Sequence, residues 1–405
     1  MPNAALHVRD ISEAVSIRFN NRVYEKRSRG EDVIVLSYGE AFFDIPLFRF
    51  DDLPMPALYH YSHSRGIPEL RALLAGYYGG RHRVPVDPAT EILVTAGSKI
   101  ALHMTFMAIL EPGDEVLIQE PAWVSYPEQV RLCHGRPVAV PHGVPIAEYR
   151  RFITARTRAI VVNNPNNPTG RVLAEREWRE LHRIAREHDL FIVADEAYSD
   201  YVLDPREFIS AAAHDPAKEH TIVCNTLSKN YGMSGWRIGY VFTNPELLYQ
   251  ILKVNQHLIT CPATVLEHYV ARHFHEVLDI TAPQIRDVVV KRAAVARMLG
   301  AAGLDCMPGQ GTFYLFVSIE ASSLGSEEFC ARLLDEHGVS AVPGIGYGDS
   351  CDQFIRVSVG AESMERIREG VERIAALLHE TTEPGVGFGQ EDGVGLEELE
   401  ALSVA

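Results

Sequence analysis

Lysine is scarce in this 405-residue chain, with only six, at positions 26, 99, 218, 229, 253 and 291. Lysine and arginine together number 38 against 54 aspartates and glutamates, so the formal net charge is −16. An acidic surface repels phosphate backbones, and no nucleic-acid partner is expected. Long apolar runs are also missing: none reaches the roughly 18 residues of a membrane-crossing helix, so no membrane partner is expected. The first 25 residues show no basic stretch followed by an apolar one, which points away from an export signal. The six cysteines (133, 224, 261, 306, 330 and 351) form no Cys-x-x-Cys pair. Reduced, mostly buried thiols in a cytoplasmic protein are the expectation. No G-x-G-x-x-G follows a strand and no lysine follows a glycine, which excludes a Walker A loop. H-E-x-x-H and G-x-S-x-G are absent as well. Histidines 60/63 and 273/275 have ligand-like spacing, but 17 histidines scattered along the chain read as solvated or core residues, and no metal site is expected.

What is present is a globular composition. Apolar residues make up 46 %, charged residues 23 %, and mean hydropathy is −0.05, which excludes disorder and collagen. Short apolar runs recur at Ile92–Thr95, Glu115–Ile118, Ala159–Val162, Leu190–Ala194, Thr221–Cys224 and Ile238–Phe242. Helical stripes fill the gaps, as at 98–110 (Ile100, Leu102, Met104, Met107, Leu110) and 174–188 (Trp178, Leu181, Ile184, Ala185). Continuous Val/Ile/Leu strands separated by helices predict an α/β fold with a mostly parallel sheet covered on both faces. Beyond about residue 285 the pattern changes. A helix over Gln284–Leu299 leads to strands at Leu304–Cys306, Phe313–Val317, Val339–Val342 and Phe354–Val357, with helices at 326–337 and 361–378. That pattern predicts a smaller α+β domain. Residues 381–405 hold five glycines, six acids and no lysine or arginine, and are expected to form a mobile acidic tail. There is no internal repeat.

Ligands of open parallel sheets sit beyond the carboxyl ends of the strands, so the residues that follow each run carry the chemistry. Ala96-Gly97-Ser98-Lys99 opens a helix, and its exposed N–H groups suit a phosphate. A tight strand–helix turn alone would use the same residues. Asn163-Asn164-Pro165-Asn166-Asn167-Pro168-Thr169-Gly170 is a turn with more asparagine than a turn needs. Asp195 ends a buried strand, where a carboxylate costs stability unless it caps a segment or meets a cation. Lys229 follows Asn225-Thr226-Leu227-Ser228 just past another buried run, and a desolvated lysine becomes a nucleophile for carbonyls. Arg237, eight residues on, adds a bidentate anion donor. A phosphate cradle, an aspartate for a ring nitrogen, a Schiff-base lysine and an arginine are together the set that holds pyridoxal phosphate.

On these residues the sequence resembles the class I/II aminotransferases, the fold-type-I pyridoxal-phosphate enzymes related to aspartate aminotransferase. The resemblance covers roughly residues 30–380. It rests on Asn-Asn-Pro-Thr-Gly (166–170), Asp-Glu-Ala-Tyr (195–198), Ser-Lys (228–229) and Gly-Trp-Arg-Ile-Gly (235–239) in the family's order. It implies a three-layer sandwich around a mostly parallel seven-stranded sheet, plus a smaller α+β domain. The implied organisation is an N-terminal segment (1–46) that joins the small domain, a large cofactor-binding domain (47–285), a C-terminal small domain (286–380) and the tail (381–405). It further implies that Lys229 forms the internal aldimine and moves the α-proton, and that Asp195 keeps the pyridine nitrogen protonated. Tyr198 and Asn167 fall on the partners of the phenolic oxygen. Gly97, Ser98, Lys99, Thr226, Ser228 and Arg237 fall on phosphate-binding positions, and Trp123 on the ring-stacking position. Arg356, Asn167 and Gly39 fall on the substrate side, with Arg356 gripping the α-carboxylate. Tyr61 matches the tyrosine that reaches the neighbouring subunit's phosphate, so a homodimer with shared sites is implied.

The sequence departs from the family at Gly39-Glu40-Ala41-Phe42-Phe43-Asp44-Ile45-Pro46, where Gly-x-Pro-Asp-Phe is usual. It departs again at Leu47–Tyr59, where Pro54 and Pro56 break any helix. The reading that follows is an aminotransferase acting between an α-amino acid and a 2-oxo acid. The alternative is elimination, replacement or cyclisation on the same cofactor, as in aminocyclopropane-carboxylate synthase.

Overall fold

The computed structural model describes residues 3–46, 48–204 and 208–382; the expected acidic tail lies, beyond Thr382, outside the described residues. The first strand, β1 (Ile34–Val35), stands apart from the main sheet. Seven strands build that sheet: β2 (Ile92–Thr95), β3 (Glu115–Gln119), β4 (Arg136–Val140), β5 (Thr157–Asn163), β6 (Phe191–Asp195), β7 (Thr221–Thr226) and β8 (Gly239–Phe242). Their order is β2-β8-β7-β6-β5-β3-β4. Strand β8 runs antiparallel to both neighbours and every other pairing is parallel.

Alternation along each strand divides the core in two. Ile92, Val94, Ile160, Ile192, Ala194, Val223 and Tyr240 face one layer, with Leu74 and Tyr78 of the helix Pro68–His82 and Trp178 and Leu181 of Glu175–His188. Leu93, Val161, Val193, Ile222, Cys224 and Val241 face the other, with Leu102 and Phe106 of Ser98–Ile109 and Ile251 of Pro245–Leu258. The three-layer sandwich is therefore a direct product of strand parity. The edge strand β4 has no counterpart among the six predicted runs. Its sequence, Arg-Pro-Val-Ala-Val, carries a charge and a proline that only an edge tolerates, and these hide the strand signal.

The C-terminal part holds β9 (Tyr314–Ser318), β10 (Val339–Ser340), β11 (Val342–Pro343) and β12 (Phe354–Ser358). Strands β11-β12-β9 form an antiparallel sheet, while β10 pairs with β1, so the N-terminal segment joins this part of the molecule. The single run predicted at Val339–Val342 is split, because the chain changes sheets at Ala341. The strand predicted at Leu304–Cys306 is only an isolated bridge between Cys306 and Val317. The helix predicted to begin at Gln284 begins at Phe274 and runs through Pro283 to Ala301. Its buried stripe of Phe274, Val277, Thr281, Ile285 and Val289 outweighs the cost of an internal proline, about 3 kcal/mol. The expected boundary at 285/286 thus falls inside this helix. The proline-broken stretch before Tyr61 contains one short 3-10 turn, Met55–Tyr59. Among the described residues no helix is long and apolar enough to cross a membrane.

A buried carboxylate pins the turn that leads into the large sheet. Glu267 accepts the Ser62 hydroxyl at 2.6 Å and the Ile67 N–H at 3.1 Å, beneath Gly66, whose φ of 89° suits glycine. Burial raises its pKa from 4.5 to about 7. A carboxyl raised on folding binds more protons folded than unfolded, so its stabilisation is complete below pH 4.5 and is lost as pH rises through about 7. Glu267→Gln is expected to flatten the fall in unfolding free energy across that window by about 3 kcal/mol. Urea denaturation at pH 4.5 and pH 8 checks this; an unchanged slope would show that Glu267 titrates normally.

Candidate active site

The residues at the carboxyl ends of β2, β5, β6 and β7 are joined to one another by close contacts. Gly97, between β2 and the helix Ser98–Ile109, has φ 91°, and a Cβ there would lie 2.4 Å from the Arg237 guanidinium. Gly239 is as constrained: its Cβ would meet the Ser98 nitrogen at 2.5 Å. These two glycines let the loops nest, so that the helix N-terminus, Ser98 and Arg237 adjoin. Thr226 caps the next short helix by accepting the Ser228 N–H at 3.1 Å, and the Ser228 hydroxyl accepts from Arg237 at 3.4 Å. Arg237 also donates to the Ser234 carbonyl at 2.7 Å. Hydroxyls, backbone N–H groups and a guanidinium form a cradle for a phosphate-sized anion. Lys99 does not complete it symmetrically. Its amine lies 5.0 Å from the Trp123 ring, and partial burial beside Arg237 lowers its pKa.

Asp195 ends β6 fully inside the protein. Its carboxylate accepts the Tyr126 hydroxyl at 2.7 Å and the Ala197 N–H at 3.2 Å, and burial raises its pKa. Trp123 packs edge-on to Tyr126, with ring centres 5.2 Å apart. The asparagine-rich loop is explained residue by residue. Asn163 donates to the Asp195 carbonyl at 2.9 Å and accepts the Asn167 N–H at 2.6 Å. Asn166 accepts both the N–H and the hydroxyl of Thr169, and Asn164 accepts the Leu173 N–H. Each of these amides braces the loop, and the Asn167 side chain is left to accept from Arg356.

Lys229 donates from its amine to the Gly39 carbonyl and lies near the rings of Tyr198, at 5.7 Å, and Phe313, at 6.0 Å. Desolvation among these groups lowers its pKa to about 8, partly opposed by the charge of Glu40. Glu40 itself accepts the Ser234 hydroxyl at 2.6 Å. The Lys229 carbonyl accepts the Tyr201 hydroxyl at 2.9 Å, which fixes the lysine's backbone. On the far wall Arg356, only 4 % exposed, donates to the Ser37 carbonyl at 2.7 Å and to the Asn167 side chain at 3.3 Å. Its Nε is buried with no hydrogen-bond partner.

The structure thus links Gly39, Asn167, Asp195, Tyr198, Lys229 and Arg356 through shared contacts, and groups Gly97, Ser98, Thr226, Ser228 and Arg237 beside one another; Trp123 stands between Lys99 and Tyr126, the partner of Asp195. Tyr61 is the exception: it projects from the surface, 85 % exposed. Two neighbours of these groups escaped sequence reasoning. Tyr126 lies in the segment that carries Trp123, but nothing in the text shows that its phenol turns to Asp195. Tyr314 reads as an ordinary aromatic core position, yet its hydroxyl is 3.0 Å from that of Tyr198.

An α/β protein with a desolvated lysine, a buried aspartate and an arginine beside a helix N-terminus at its strand ends is thereby defined. The sequence profile of the family "Aminotransferase class I and II" matches residues 51–374. The chain is 33 % identical over 362 residues to an aspartate aminotransferase of Pyrococcus abyssi, covering 86 % of this chain and 92 % of that protein. It is 32 % identical over 361 residues to aromatic-amino-acid aminotransferase 2 of Thermococcus litoralis, with the same coverages of 86 % and 92 %. Among solved structures, the aspartate aminotransferase from Thermus thermophilus with maleate superposes at a TM-score of 0.85, with 32 % identity over 93 % of this chain and 100 % of that one. The chain belongs to the aminotransferase class I and II family. It is an aminotransferase, and none of these relatives favours the elimination or cyclisation alternative.

Proposed function

We propose that this aminotransferase works with pyridoxal phosphate held by the gathered residues, moving an amino group between an α-amino acid and a 2-oxo acid. The observation that carries the reading is the Lys229 amine, its pKa lowered to about 8, lying 5.7 Å from the Tyr198 ring and within reach of the charges of Asp195 and Arg356. The donor set fits the group: an anion cradle that a Cβ at Gly97 would fill, a buried carboxylate and an amine. When bound, the cofactor supplies an electron sink that weakens the Cα–H bond of an attached amino acid.

The chain's own residues do the rest. Ser98, Thr226, Ser228 and Arg237, with the helix N-terminus at Gly97, hold the phosphate, and Lys99 adds a nearby positive charge. Trp123 would stack on the ring. Asp195, costly to ionise alone, would hold a proton at the ring nitrogen, because a buried carboxylate is stabilised by an opposing cation. Tyr198 and Asn167 would hydrogen-bond the phenolic oxygen. Arg356 grips the substrate carboxylate with Asn167, and the Gly39 backbone lines the approach. The Lys229 amine would hold the cofactor in the absence of substrate and, once released by an incoming amino group that takes its place, would be the base that takes and returns the proton at Cα.

The large unit is assigned to residues 47–285 and the small one to 286–380 joined by 1–46, with the site between them. The exposed Tyr61 and its 75 % exposed neighbour Tyr59 support a homodimer in which Tyr61 completes the partner's phosphate site. Six free cysteines support a cytoplasmic location. Borohydride treatment of the holoenzyme, followed by peptide mapping, is expected to leave the pyridoxyl label on Lys229. A label on another lysine, or none on a protein shown to hold cofactor, would overturn the assignment.

A further inference from the structure

The phenol of Tyr314 has no assigned task, yet it touches Tyr198, Arg356 and the Gly39 loop. It opens β9 opposite Ser358 of β12, while Arg356 pairs with Phe316, so Tyr314 and Arg356 are diagonal neighbours on one face of the sheet. The Arg356 guanidinium carbon lies 4.4 Å from the Tyr314 ring centre, nearer than to Tyr347 at 5.6 Å. At its other end, the Tyr314 hydroxyl is 3.0 Å from that of Tyr198. It is also 3.5 Å from where a Cβ at Gly39 would sit, so it reaches the loop whose carbonyl accepts the Lys229 amine. The residue is fully buried and tied at both backbone atoms: its N–H donates to Thr312 Oγ1 at 3.1 Å and its carbonyl accepts from Arg292 at 2.7 Å. A ring held this way has one available position.

We propose that Tyr314 is a positioning residue with two separable tasks: its ring orients the carboxylate-gripping face of Arg356, and its hydroxyl donates to Tyr198 so that the Tyr198 proton points at the cofactor. The first task follows from the hydrogen bonds of Arg356. Its terminal nitrogens donate to Asn167 and Ser37, one of them at a long 3.3 Å, and Nε has no partner among the described residues, so the Tyr314 ring 4.4 Å away adds the support that steadies the plane. The second follows from proton counting. Each hydroxyl has one proton, and if Tyr198 gives its own to the cofactor's phenolic oxygen, the bond between the tyrosines must be donated by Tyr314. A donor that also accepts is polarised into a stronger donor.

This inference rests on the cofactor reading above, and the test separates the two. Tyr314→Phe keeps the ring and removes the hydroxyl; Tyr314→Leu removes both. The wild-type holoenzyme is first titrated from pH 5 to 10 by its visible absorbance, and kinetics are taken with the amino acid it turns over fastest. For Tyr314→Phe the absorbance midpoint is expected to move up by about half a pH unit and kcat to fall about tenfold, with KM within twofold. For Tyr314→Leu, KM is expected to rise at least tenfold as well. In a Tyr198→Phe background the Phe substitution should move the midpoint no further, since the hydroxyl then has nothing to polarise. A wild-type protein with no cofactor absorbance would sink the cofactor reading itself. A titrating wild type with Tyr314→Phe unchanged in midpoint and kcat, or with KM raised equally by both substitutions, would overturn the role of Tyr314 alone.

Discussion

Lys229→Ala is expected to abolish turnover, by at least about 10⁴-fold, while leaving the fold intact. The magnitude follows from losing two functions at once. The amine that bonds the cofactor is gone, and so is the base at Cα, itself worth about 10²–10⁴. Structure is expected to survive because the side chain's one hydrogen bond is to the Gly39 carbonyl, and a desolvated amine with a lowered pKa contributes little to folding. The sign can be checked independently. A lysine depressed to about 8 on folding contributes stability that is present above its ordinary 10.5 and lost as pH falls through about 8. The Ala variant without cofactor should therefore resist acidification between pH 10 and pH 7 better than the wild type. Normal turnover by Lys229→Ala would refute the assignment of the nucleophile.

The second large effect is expected at Asp195. Asn there keeps the size and retains an acceptor for the Tyr126 hydroxyl, which is 2.7 Å away in the wild type, but removes the charge. Breaking a buried charge pair costs about 3–5 kcal/mol, so kcat should fall by about 10²–10³-fold or more. Cofactor affinity should fall too, because the ring nitrogen loses its charged partner. Rate measurements with added cofactor at saturation separate the two losses. A variant within tenfold of wild type would mean that another group protonates the ring.

The large sheet and the grouping of Gly97, Asp195 and Lys229 at its strand ends were legible because each rests on local pattern. Continuous Val/Ile runs mark buried parallel strands, and the chemistry-bearing residues follow within a few positions of each strand end, as at Gly97, Asp195 and Lys229. What the sequence hid was long-range or exposed to competing signals. The edge strand β4 is disguised by Arg136 and Pro137. The helix from Phe274 is disguised by Pro283, and the split of β10 from β11 depends on which sheet each half joins. Tyr126 and Tyr314 touch Asp195 and Tyr198, which lie 69 and 116 residues away in the chain. No periodicity reports such pairs. Tyr61 shows the opposite limit: the motif marks it, but its own chain leaves it exposed.

The most direct test of the whole account is to mix the purified holoenzyme with single amino acids and no 2-oxo acid. Absorbance and released 2-oxo acid are then followed together. One equivalent of 2-oxo acid per site, a matching loss of the cofactor's initial visible band and then a halt are the predicted result, with recovery on adding a 2-oxo acid acceptor. Continued product formation over many turnovers without any acceptor would contradict transamination and return the elimination or cyclisation chemistry to the front.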